Sequence, residues 1–112
     1  MKLAFTSKGT SWDSHIDSRF GRTDYILLYD EEKDDLVYFD NRDIEKEAHG
    51  AGVQTSKKLF EMSPDVLITG NGPGGNASSI LEKTKIKIFV DAGDKTIKEA
   101  YEAYKKGELK VF

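Results

Sequence analysis

"DVLITGNGPGGNASSIL", residues 65 to 81, runs from an apolar segment through a glycine-dense turn into a helix-like segment. Val66 to Thr69 has the length and branched residues of a buried strand. Ala77, Ile80, Leu81 and Thr84 then recur at i, i+3, i+4 and i+7, the spacing of one helical face. A strand that turns directly into a helix is half of a β-α-β unit, so an α/β fold with parallel strands is expected.

The flanks agree. A helix from about Gly50 to Met62 places Val53, Ser56, Leu59 and Phe60 along one face, and Ser63-Pro64 ends it. Ile86 to Val90 reads as the next strand. In the last helix Thr96-Ile97-Lys98-Glu99 forms a capping box, Ile97, Ala100, Tyr101 and Tyr104 make the buried stripe, and Gly107 suits the C-terminal cap. Upstream, Leu3 to Phe5 is a short strand. Tyr25 to Tyr29 and Leu36 to Phe39 make a hairpin around the charged turn Asp30 to Asp35. Asn41 to Glu47 is polar and without periodicity, the pattern of a mobile connection.

The order is therefore β-β-β-α-β-α-β-α. A hairpin reverses strand 2, and helical crossovers keep strands 4 and 5 parallel. Pairing strand 4 with strand 1 gives a mixed five-stranded sheet of order 3-2-1-4-5 with strand 2 antiparallel. With helices on both faces this is a three-layer α/β/α, ribonuclease-H-like architecture, a single domain over residues 1 to 112. Strands 1, 3, 4 and 5 point the same way. Ser7 to Asp24, Asn41 to Gly52, Gly70 to Asn76 and Asp91 to Lys95 therefore leave one edge of the sheet. Open α/β sheets bind ligands at that edge, where the strand order switches, here between strands 1 and 4.

Composition narrows the chemistry. A net charge of −3 over 112 residues gives no footprint for nucleic acid or an acidic membrane. No apolar run approaches the ~20 residues that cross a bilayer, and the first residues do not read as a signal peptide, so a cytoplasmic protein is expected. The absence of cysteine removes thiolate metal sites, cysteine nucleophiles and cysteine-held clusters. Leu3 to Thr6 carries no carboxylate for a two-metal nuclease, and no Gly-x-Ser-x-Gly elbow occurs, so an enzyme is not expected.

Three segments carry candidate binding residues. Gly70, Gly72 and Gly75 satisfy G-x-G-x-x-G, and with Gly74 they put four glycines into six residues around Asn71. Such a turn before a helix exposes backbone N–H groups to an anion, although a tight turn alone also uses glycine. Asp91 stands about 20 residues on, where a dinucleotide site has its ribose-binding acid. A nucleotide- or phosphate-binding regulatory domain is therefore the alternative, but Pro73 removes one N–H and no Gly-Lys-Ser/Thr follows. In the long first loop Asp13, His15 and Asp17 alternate, with Arg19 and Arg22 behind. That loop either faces a ligand or is a polar surface segment pinned by Ile16 and Phe20. Trp12 is either its anchor or a stacking platform. His49-Gly50-Ala51-Gly52 opens a helix with unshielded N–H groups on the same edge.

Together these motifs resemble a known family. "SHIDSRFGRTDYILLYD", "HGAGVQTSKKLFEMSPDVLITGNGPGGNASSILEKTKIKIFV" and "TIKEAYEAYKKGELKV" are similar, in order and over essentially the whole chain, to the dinitrogenase iron–molybdenum cofactor biosynthesis family, the nitrogenase accessory factor-like domains. The resemblance implies a non-enzymatic carrier of iron–molybdenum cofactor or an iron–sulfur precursor cluster, in or outside nitrogenase assembly. His15 falls on the family's first motif histidine and is the implied metal ligand, while Arg19 stands where the second would be. An arginine faces an anionic cluster but does not ligate its metal. His49, Gly50, Gly70, Asn71, Gly72, Gly74 and Gly75 complete the implied cofactor-binding set. The implied partners are the cluster and cluster-assembly proteins, with no nucleic acid or membrane, for a monomer or homodimer.

Overall fold

The computed structural model describes residues 1–45 and 50–112. One mixed sheet holds β1 (Lys2–Ser7), β2 (Tyr25–Asp30), β3 (Asp35–Asp40), β4 (Val66–Ile68), β5 (Lys87–Val90) and β6 (Lys110–Val111). Between them lie α1 (Arg42–Glu45), α2 (Ala51–Met62), α3 (Gly75–Leu81) and α4 (Ile97–Lys105). The sheet order is β3-β2-β1-β4-β5-β6, so the five expected strands keep their order and a sixth is added. The correction is physical: β6 has two exposed residues, paired antiparallel to β5 through Phe89↔Val111 and Val90↔Lys110, too short for a periodic signal. β1 pairs antiparallel with β2 and parallel with β4, which places the switch where expected.

The alternation of β1 explains the layers. Leu3 and Phe5 join Val66, Ile68, Ile97 and Ala100 in a core under α4. Ala4 faces the other way, with Leu67, Leu59, Ala77 and Leu81 under α2 and α3. The helices thus cover both faces, and all three residues of β4 are buried.

Two local expectations change. Asn41 to Glu47 was expected to be irregular, yet Arg42–Glu45 make a helical turn; Lys46 and Glu47 lie outside the described residues. Asp40 starts that turn by accepting from the Arg42 amide at 3.0 Å and from its guanidinium at 3.0 and 2.7 Å. α2 buries Ala51, Thr55, Ser56 and Leu59, whereas Phe60 is 61% exposed instead of lying on the buried face. Ser63 in the left-handed region (φ 53°) and Pro64 end α2, and the capping box at Thr96 and Glu99 starts α4, both as expected.

Candidate functional site

At the carboxyl edge of β1 and β4 the strands end in small polar residues. Thr6, Ser7, Thr23 and Thr69 are fully buried. Thr6 donates from Oγ1 to the Asp17 carbonyl at 2.8 Å and lies 2.8 Å from Thr69 Oγ1. These hydroxyls attach the first loop to the strand ends.

Asp17 fixes the loop's course. Its buried carboxylate accepts from the Arg19 amide at 3.0 Å, Arg19 Nε and Nη2 at 3.1 Å each, and the Asp24 amide at 3.1 Å. Burial pushes the Asp17 pKa up, but the Arg19 guanidinium and these amides outweigh it and leave the carboxyl below its ordinary value. Arg19 also reaches Asp24 at 3.5 Å. Its guanidinium is thus engaged by two carboxylates of its own loop.

The rest of the loop is stitched to α4. Ser7↔Ile16 and His15↔Thr96 are antiparallel bridges, and the amides of Ile97 and Lys98 donate to the carbonyls of Ser14 and Trp12. Trp12 packs against Tyr29, Tyr101 and Phe5 at ring distances of 4.8, 5.6 and 6.3 Å, which makes it the anchor. Ile16 and Phe20 are buried, as the pinned-loop alternative required. His15 is exposed beside Thr96, at a helix start already capped from within: Thr96 Oγ1 accepts from the Glu99 amide, and the Glu99 carboxylate from the Thr96 amide. Those hydrogen bonds lower the Glu99 pKa.

The glycine loop divides in two. A Cβ on Gly70 would stand 2.6 Å from Ser18 Cα and 3.3 Å from Gly93 Cα. The Asn71 amide donates to the Ser18 carbonyl at 2.7 Å, and the Gly70 carbonyl accepts from Asp91 at 2.9 Å. Ser18, Gly70, Asn71, Asp91, Gly93 and Asp94 line a shallow depression of about 320 Å³. Two carboxylates border it, and Asp91 itself takes a left-handed backbone (φ 65°). This half is a three-loop junction with an acidic border, where Asp94 pairs with Lys95 at 3.3 Å. A Cβ on Gly72 would run into the Phe112 ring, so that glycine makes room for Phe112.

Gly74 and Gly75 differ. Among the described residues nothing lies within 4 Å of a Cβ on either one, and neither has a positive φ. They open α3, whose start has no side-chain cap. Gly50, the left-handed N-cap of α2 (φ 77°), also has open space and no side-chain cap. The two starts are neighbours: a Cβ on Gly52 would lie 3.4 Å from Ala77 Cβ, and Gly21 also packs on Gly52. Neither first turn carries an acidic residue. The first N–H groups of both helices have no partner within their helix.

Of the residues singled out in the sequence, the structure gathers Gly70 and Asn71 in one place; Gly74 and Gly75 open α3, and Gly50 opens α2, which meets α3 at Gly52 and Ala77. His15 and Arg19 line neither the depression nor the open glycines, and His49 lies outside the described residues. Among the described residues no group of three or more His, Asp or Glu side chains is placed to hold a metal ion, and no helix is long and apolar enough to cross a membrane. Sequence reasoning missed Ser18, Gly93 and Asp94 as neighbours of the loop. Their one signal was small residues on segments expected to share an edge.

Comparison with known proteins gives the same outline. The chain resembles the apo form of the orange protein from Desulfovibrio gigas, with 28% identity, TM-score 0.92, and coverage of 99% of this chain and 92% of that one. It also resembles a Thermotoga protein described as a candidate NifB protein, with 28% identity, TM-score 0.83, and coverage of 98% and 91%. A third structure, 20% identical with a TM-score of 0.76, shares the fold. No curated protein matches significantly. The family described as dinitrogenase iron-molybdenum cofactor matches residues 1–107, and the chain belongs to that family.

Proposed function

We propose that this protein is a non-enzymatic carrier whose cargo is an anionic metal–sulfur cluster, iron–molybdenum cofactor or an iron–sulfur precursor. One observation carries the reading: Gly74 and Gly75 are glycines that nothing among the described residues requires. A ledge without Cβ atoms lets a bulky anion approach the backbone, and the uncapped starts of α2 and α3 supply N–H donors and partial positive charge.

The donor set fits such a cargo. With no cysteine, the chain offers hydrogen bonds to cluster sulfides and oxygens rather than thiolate bonds to metal. His15 supplies at most one imidazole ligand from the same sheet edge, and Arg19, held by Asp17, shapes the loop. A group held this way comes off intact, which suits a carrier, and the apo description of the orange protein is of a protein without a bound group. We further read the architecture as ribonuclease-H-like with β6 added; β1 bears no carboxylate for that fold's two-metal chemistry.

The test is anaerobic titration with isolated iron–molybdenum cofactor and with a synthetic iron–sulfur cluster, followed by absorbance and electron paramagnetic resonance. Stoichiometric binding that weakens in Gly74→Ala/Gly75→Ala supports the carrier. Absence of binding by the wild type overturns it. A rise in Tm with millimolar adenine nucleotides would instead favour the depression at Asn71 and Asp91 as a nucleotide site.

A further inference from the structure

The far end of α2 carries an unusual surface. Phe60 stands in solvent on its last turn, 61% exposed. On one side Lys57, Ile80 and Lys83 bound an open depression of about 480 Å³. On the other, Pro64, Lys85 and Ile86 bound one of about 310 Å³. Among the described residues the ammonium groups of Lys57, Lys83 and Lys85 have no ion pair or hydrogen-bond partner. Of the carboxylates that line the same depressions, Glu61 pairs with Lys58 at 3.7 Å, and Asp65 accepts from the Lys2 amide at 2.8 Å while keeping its charge. A chain of net charge −3 thus gathers three unpaired lysines around one solvated aromatic ring.

We propose that this face docks an acidic segment of a partner protein, which inserts one apolar side chain beside Phe60. The charges define the complement: carboxylates over Lys57, Lys83 and Lys85 steer the encounter and make it salt-dependent. The apolar walls define the anchor, because a buried side chain in a pocket holds such a contact together. The occupant is a protein rather than nucleic acid, since aliphatic walls take a side chain and three lysines make too short a track for a phosphate backbone. A second copy of this chain offers its acidic turn, Asp30 to Asp35, which has no apolar side chain to insert. The contact is small and transient. α2 runs from Gly50 to this face, about 18 Å at its helical rise, so a docked partner leaves the glycine ledge uncovered.

The experiment titrates isotope-labelled protein with a short synthetic peptide of alternating aspartate and glutamate around a central leucine. Saturable amide shifts at Lys57, Phe60, Ile80 and Lys83 to Ile86 are expected, lost between about 20 and 300 mM salt. The folded triple variant Lys57→Glu/Lys83→Glu/Lys85→Glu weakens binding at least about tenfold. Phe60→Ser weakens it about threefold, and so does leucine to serine in the peptide. No saturable shift at about 1 mM peptide overturns the proposal. So does equal competition by an oligonucleotide of matched charge, or shifts that track self-association in sedimentation. Cluster titration of the triple variant stays at the wild-type value, so the two proposals fail separately.

Discussion

Residues 70 to 75 hold two kinds of glycine. Gly70 and Gly72 are small because other parts of the chain lie against them, namely Ser18, Gly93 and Phe112. Gly74 and Gly75 face open space. The first pair belongs to folding, whereas no described residue accounts for the second, which is the pair assigned to the proposed cargo. A G-x-G-x-x-G match spans both and cannot tell them apart. The contrast teaches that a glycine motif counts as a binding site only after the glycines that the fold itself needs are subtracted.

The largest effect is expected at Gly70. In Gly70→Ala the new Cβ meets backbone at Ser18, which cannot swing away, and the loss of stability is about 3 kcal/mol in chemical denaturation. A loss below about 1 kcal/mol would show that the 17–19 segment moves freely and would erase the contrast.

Asp17 holds that segment in place, so Asp17→Asn comes next. The change loses charged hydrogen bonds to Arg19 and turns a donor toward the Asp24 amide, which costs about 2 kcal/mol near neutral pH. The folded carboxyl lies below its ordinary value of 3.8. Its stabilisation is therefore complete above the unfolded pKa and is lost as pH falls through the lower folded pKa. Wild type and variant should draw together in stability as pH falls below 3.8 and through the lower folded pKa. A gap that stays constant with pH would mean that the contribution is steric.

Why the sequence revealed one part of this and not another follows from range. The capping box at Thr96 and Glu99, the stop at Ser63-Pro64 and the short strand at Leu3 to Phe5 are local, and each appears in the structure. The distinction between Gly70 and Gly74 depends on Ser18, more than fifty residues away, and no local pattern encodes it. β6 escaped because two residues cannot show a period, and Phe60 because the helical repeat places it beside Leu59 without showing that α3 does not reach it. Arg19 read as a cation for a ligand; only the fold shows its fork closed on Asp17.

Gly72 is intermediate. Its neighbour is a ring, half exposed and free to rotate, so Gly72→Ala costs about 1 kcal/mol. In Gly72→Ala/Phe112→Ala the loss is no greater than for Phe112→Ala alone, because the clash has gone. Additive losses in that cycle would place the strain at Gly72 in its own backbone.

The smallest effect on stability, and the most telling, belongs to Gly74 and Gly75. Gly74 sits at φ −69°, which any residue adopts, and Gly75 begins a helix, where alanine is favoured. Neither Cβ meets any described residue, so each alanine variant should lie within about 0.5 kcal/mol of wild type, or gain slightly from a stiffer unfolded chain. Cluster binding should move the other way, falling about tenfold as the new methyl groups hold the anion off the N–H donors. Stability kept while affinity falls is the signature of a position free of structural demand. Were both variants to bind normally, the open glycines would need another reason for being there, and the imidazole of His15 would become the first place to look for the cluster.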